Sequence, residues 1–179
     1  FRYTNSFKEA RFLRAYFYFN LVRAYGDVPY FTEMVTTDQV NSLTRTPAQE
    51  IFNAIIAECD KLSTELPADY TKLGLDGIAP AENGRVTCYA ALALKARAAL
   101  YAASPLFNPE NNKDLWRRAA EANKEVIETC TANGFKLSKY SELWGPNNCS
   151  NNEMIFVRRY NGNISTLEEY NFPMGLPGG

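Results

Sequence analysis

The stretch from Thr87 to Ala103, TCYAALALKARAALYAA, constrains this chain more than any other. Alanine gives up no side-chain entropy in a helix and leaves room for a neighbouring backbone to come close. Such a run predicts a helix that serves as a packing centre, which requires other helices able to pack on it. Three other stretches carry apolar residues at helical spacing. The first covers about Phe7 to Tyr25, with Ser6 three residues before Glu9 in the arrangement of a capping box. Ala10, Leu13, Phe17, Leu21 and Ala24 form its stripe. Phe12, Tyr16 and Phe19 widen that stripe, which predicts packing on more than one side. Gly26-Asp27-Val28-Pro29 ends it. In the second, Thr46 is the expected cap, Pro47 lies in the first turn and Gln49 completes a capping box. Phe52, Ile55, Ile56, Cys59, Leu62 and Leu66 follow on one face, and Pro67 marks the end. The third runs from about Lys113 to Cys130, with Leu115, Ala119, Ala122, Val126 and Cys130 on one side, Trp116 expected in the core, and Gly134 as the stop.

Between these helices the sequence reads as loop. Residues 27–45 show no sustained period, and 67–86 are dense in Pro, Gly, Asp and Asn. After residue 133 the chain reads as an extended or irregular tail in which 153–157, EMIFV, suits a short strand. The expected fold class is all-α: antiparallel helix pairs of tetratricopeptide-like type over about 6–132, with long loop insertions and an irregular tail over 133–179. The loops exceed those of a tight repeat of ~34 residues, and the W-x-x-L-G-x-x-Y signature is absent. An opening without Met and a turn-rich close predict one domain fragment, 1–179, of a longer protein.

Composition narrows the chemistry. With 46% hydrophobic and 22% charged residues, the chain has the balance of a globular protein. A chain of this size buries roughly 70% of the surface its unfolded form exposes. A net charge of -1 supplies no basic excess to neutralise phosphates, so nucleic acid is not an expected partner. There is no histidine, which removes the commonest general base and zinc ligand. Cys59, Cys88, Cys130 and Cys149 are widely spaced, without a C-x-x-C pair, and read as free thiols; a disulfide stays open. No catalytic residue, metal or cofactor is expected.

One string is more specific than periodicity. Glu9 to Phe19, EARFLRAYFYF, followed by Leu21 to Pro29, LVRAYGDVP, resembles the corresponding segment of the SusD/RagB family, nutrient-binding outer-membrane lipoproteins of Bacteroidetes. Later pieces agree in order: Gly84-Arg85-Val86-Thr87, then Trp116 with Ala119 and Ala122, then Phe135-Lys136-Leu137 before Tyr140 and Leu143, then Asn152 to Phe156. The resemblance implies a non-enzymatic helical platform on the outer face of the cell. It would bind an oligosaccharide or other nutrient and deliver it to a TonB-dependent SusC-like transporter. Membrane attachment would come only through a lipid anchor outside these residues.

A sugar site needs aromatic platforms beside amide, carboxylate or guanidinium groups. Residues 140–172 offer that mixture, and the candidate ligand-binding residues are Trp144, Asn147, Asn148, Tyr160 and Asn161. For Trp144, wedging the tail against the last helix is the more common role for such a residue, and Asn-rich turns also arise because Asn tolerates left-handed backbone. The loop residues Asp69, Tyr70, Lys72, Asp76 and Asn83 read as a solvated connection. Arg11, Arg14 and Arg85 read as structural, bridging neighbouring helix ends or a carboxylate. Two other readings are a helical-repeat adaptor for protein partners and, ranked last, a hydrolase with paired carboxylates.

Overall fold

The computed structural model describes residues 2–70, 85–143 and 151–157. Among the described residues six helices follow in order: α1 Arg2–Tyr25, α2 Thr37–Val40, α3 Ala48–Glu65, α4 Cys88–Ala103, α5 Lys113–Ala132 and α6 Tyr140–Leu143. No strand forms among the described residues, and the all-α expectation holds. Residues 153–157 are turns and bends, not the strand their apolar character suggested. No described helix is long and apolar enough to cross a membrane.

Helix α4 is the packing centre. It lies against both α3 and α5, while α1 lies on α3 and touches α4. Ala90, Ala91, Ala96, Ala98, Ala99, Ala102 and Ala103 are all buried, which places small residues around most of its circumference. α3 contributes the single apolar stripe read from its sequence, with Phe52, Ile55, Ile56, Cys59, Leu62 and Leu66 all buried. α5 adds Ala119, Ala122 and Cys130.

Helix α1 departs from expectation in which face it buries. Phe12, Ala15, Tyr18, Phe19 and Val22 enter the core, whereas Leu13, Phe17 and Leu21 are exposed, Phe17 by 61%. Aromatic and aliphatic residues stand on several faces of this helix between its charged ones, so spacing alone did not say which of its stripes meets α3. It also starts earlier than the Ser6-Glu9 pattern implied: the helix already runs through Ser6, leaving no helix start there to cap.

Turn chemistry fixes the join from α1 to α3. The N–H of Gly26 donates to Val22 O at 2.9 Å, with Gly26 at φ +70°, a conformation open to glycine without strain. The next residue, Asp27, takes the capping role expected of Thr46: its Oδ1 accepts from the N–H of Ala48 at 2.8 Å. A carboxylate there also suits the positive end of the α3 dipole. Thr46 instead donates its N–H to Val28 O at 2.9 Å, in an isolated antiparallel bridge. Gln49, freed from capping, donates Nε2 to the carbonyl of Ala102 in the last turn of α4 at 2.7 Å and to that of Phe107 just beyond it at 2.8 Å. Within the long 27–45 loop, α2 has its own capping box from Thr36 and Gln39.

Ion pairs bind α1 across α3. Arg11 donates to Glu58 at 2.6 Å and to Glu65 at 2.7 Å. The two carboxylates, through hydrogen bonding and charge, raise the guanidinium pKa against the opposing effect of burial. Arg14 donates to Thr32 O at 2.9 Å. Arg85 reaches Glu9 through two bonds at 2.8 and 3.0 Å and lies over the Tyr70 ring. The structural reading of the three arginines is therefore supported. Trp116 is not core: it is 38% exposed, and its indole N–H donates to Asn111 Oδ1 at 3.2 Å across the turn before α5. Its partly apolar ring shields the helix start while the N–H stays near solvent.

Two outcomes follow. Replacing Ala98, wholly buried in α4, by Leu forces the α3–α4–α5 contacts apart and lowers unfolding stability by about 1–3 kcal/mol in denaturant titration. The same change at exposed Ala120 alters it by less than about 0.5 kcal/mol. Burial also pushes the Cys59 thiol from an ordinary 9.0 up to about 12. The unfolded chain then loses its thiol proton first, so this group's contribution to stability is intact below about pH 9 and declines as pH rises toward 12. The slope is about 1.4 kcal/mol per pH unit. Alkaline denaturation of Cys59→Ala, compared with the parent chain, shows a shallower decline over that window.

Candidate functional site

A groove of about 750 Å³ with an aromatic lining lies among the described residues. Phe12, Tyr16 and Phe19 of α1, Arg97, Leu100 and Tyr101 of α4, Asn123 and Val126 of α5, and the segment Glu153–Val157 form its walls. The helical period places the α4 residues there. Arg97 and Tyr101 are four apart and share one face.

The aromatic groups are held by one another. Phe12 and Tyr16 stack with centroids 6.4 Å apart, and Phe156 meets Phe12 edge-on at 5.5 Å. Tyr101 meets Phe19 edge-on at 5.2 Å. The segment from Asn151 is tied back to the stretch after α5. Glu153 Oε2 accepts from the Ser138 N–H at 2.9 Å, and Asn151 Oδ1 accepts from the Ser138 hydroxyl at 2.6 Å and the Glu153 N–H at 2.8 Å. Asn123 donates to Ala119 O at 2.8 Å and to Ala96 O at 3.4 Å, so its amide serves the α4–α5 contact. The groove thus offers ring faces and C–H surface, with the Arg97 guanidinium at its edge. Among the described residues, no group of carboxylates and thiols is arranged to hold a metal ion.

The five candidates named from sequence, Trp144, Asn147, Asn148, Tyr160 and Asn161, lie outside the described residues, as do Lys72, Asp76 and Asn83 of the second loop. Tyr70 is buried, its hydroxyl donating to Val86 O at 2.8 Å. Asn151, part of the amide-rich stretch, is engaged in fixing its own segment. Sequence reading passed over Arg97 and Tyr101. Their i, i+4 spacing on an otherwise small-residue helix was the available signal.

The architecture is that of a helical scaffold that presents surfaces and loops. The first half of the chain, residues 2–100, matches a family described as starch-binding associating with the outer membrane. The chain belongs to this SusD-like family. It is 25% identical over 149 residues to SusD-like protein P25 of Formosa agariphila, covering 83% of this chain and 24% of that protein. Among solved structures it is similar to a SusD-like protein from Bacteroides fragilis, with a TM-score of 0.68 and 28% identity over 90% of this chain and 28% of that one. A second from the same species, a SusD-like carbohydrate binding protein, gives a TM-score of 0.64 and 29% identity, covering 86% and 26%. The chain therefore spans about a quarter of the length of these relatives.

Removing the ring that holds the Asn151–Val157 segment tests the groove's construction. Phe156→Ala raises amide hydrogen exchange about tenfold at Lys136, Ser138 and Glu153, as a loss of one edge-on contact and its burial implies, while exchange within α3 and α4 is unchanged.

Proposed function

We propose that this chain is the helical scaffold part of a longer, non-enzymatic glycan-binding protein on the outer face of the outer membrane, which delivers its ligand to a TonB-dependent SusC-like transporter. The observation that carries this reading is the family match over 2–100. A relative named as carbohydrate-binding shares the fold at 29% identity and supports oligosaccharide as the ligand class. The exposed face of Leu13, Phe17 and Leu21 supports a longer protein, since an apolar helix surface of this kind is usually covered. The remainder of the polypeptide is the proposed cover.

In this reading the tail residues Trp144, Asn147, Asn148, Tyr160 and Asn161 face the sugar. Ring faces stack on the C–H side of a pyranose, while amides satisfy its hydroxyls in pairs. Calorimetry of the full-length protein against a polysaccharide panel tests the proposal. Binding to at least one glycan without turnover is the expected result, with Trp144→Ala weakening it about tenfold, the equivalent of about 1.4 kcal/mol. Co-purification of a TonB-dependent transporter from membranes tests the delivery step. Affinity for no polysaccharide, together with tight binding of a soluble protein, would replace this reading with the helical-repeat adaptor.

A further inference from the structure

The register between α4 and α5 brings together two thiols that the function above does not use. Asn123 of α5 donates to Ala96 O of α4, and Lys95 pairs with Glu125 at 2.8 Å. At one end of the pair, Tyr89 meets Phe135 edge-on at 4.9 Å, just beyond the last turn of α5. These contacts define an antiparallel pair. From the Ala96–Asn123 contact, eight residues back along α4 lies Cys88, and seven residues forward along α5 lies Cys130. At about 1.5 Å rise per residue the two differ in height by about 1.5 Å. Seven residues is close to two full turns, so Cys130 returns to the face that Asn123 presents to α4, and Cys88 returns to the face of Lys95.

From this register we infer that Cys88 and Cys130 form a disulfide when the protein is exported. Both thiols are free in the structure, Cys130 buried and Cys88 partly so, and both lie near enough to Tyr89 to act on its hydroxyl through charge. Burial raises both thiols above their ordinary value, and the charge of Cys88 adds to the rise at Cys130, which is consistent with their proximity. Cys59 is a different case: it is completely buried on α3 and takes no part.

A family described as associating with the outer membrane passes through an oxidising compartment on its way there. The oxidant is a disulfide, either low-molecular-weight or in an oxidoreductase. The Cys88 thiolate attacks one of its sulfurs, forming a mixed disulfide and releasing one thiol. The Cys130 thiolate then attacks the Cys88 sulfur and releases the second thiol. Two cysteine thiols lose two electrons and two protons in total, and the oxidant is reduced to two thiols. The bond closes the chain around the α4–α5 hairpin, the pair on which the packing centre depends, and limits the unfolded ensemble.

The test is oxidation of the intact folded chain with oxidised glutathione, followed by alkylation, intact mass and peptide mapping. The expected product has lost two hydrogens, links the peptides of Cys88 and Cys130, and leaves Cys59 alkylatable only after unfolding. Its thermal midpoint lies about 5 °C or more above that of the reduced chain. Cys88→Ser and Cys130→Ser each abolish the linked peptide, and Cys59→Ala leaves it in place. Recovery of Cys88 and Cys130 as free or singly glutathionylated thiols overturns the proposal, as does a dominant linkage of either one to Cys149.

Discussion

The close approach of α3 and α5 to the two sides of α4 is the contact on which the rest of this structure depends. It is possible because the buried positions of α4 are mostly methyl groups, which let two larger helices share one slender partner. Phe52 and the isoleucines of α3 supply the volume that α4 lacks. α1 then has a platform on which to lie, and the groove exists because α1 and α5 approach α4 from directions that leave its Arg97–Tyr101 face open. A larger residue at the centre would propagate outward through all three contacts, since packed interiors do not yield locally.

The string that identifies the family is, in physical terms, a joining device. Arg11 clamps α1 to α3 through Glu58 and Glu65, while Gly26 turns the chain and Asp27 caps α3 through Ala48. Tyr18 accepts the N–H of Phe31 and donates to its carbonyl, which pins the chain just after Pro29. These side chains are spent on helix junctions, whereas Phe12, Tyr16 and Phe19 of the same string line the groove. The segment therefore carries both the helix joints and part of the groove wall, and its resemblance to the family speaks first to the fold.

The fold was largely legible in sequence because three of the helices obey simple rules. α3 has one apolar face and a Pro beyond its end, α4 is built of the best helix former, and α5 has a narrow stripe ended by Gly134. What was not legible has identifiable causes. α1 is apolar on several faces, so choosing its core side needed knowledge of what it meets. The cap of α3 comes from Asp27, twenty-one residues upstream, and a local capping rule credits Thr46 instead. Trp116 was assigned inward on residue type, yet its N–H had a near partner in Asn111 and half a reason to stay outside. The Thr36–Gln39 capping box was present in the sequence, but its helix is too short to carry an apolar period.

The site was less legible than the fold, and for a different reason. Helical period places residues on a face, but a sugar is recognised by rings and amides converging from separate segments, and no spacing rule governs that convergence. Arg97 and Tyr101 illustrate it: on a helix read for packing they looked incidental, and only the arrival of Phe156 beside Phe12 turns their face into the wall of a groove. The groove's chemistry, mostly ring and hydrocarbon with the Arg97 guanidinium beside the already engaged side chains of Asn123 and Glu153, differs from the amide-rich tail that sequence pointed to. A carbohydrate needs both kinds of surface. In the proposed function the tail, whose Asn151 and Glu153 already anchor one end to Ser138, supplies the hydrogen-bonding half that the helices lack.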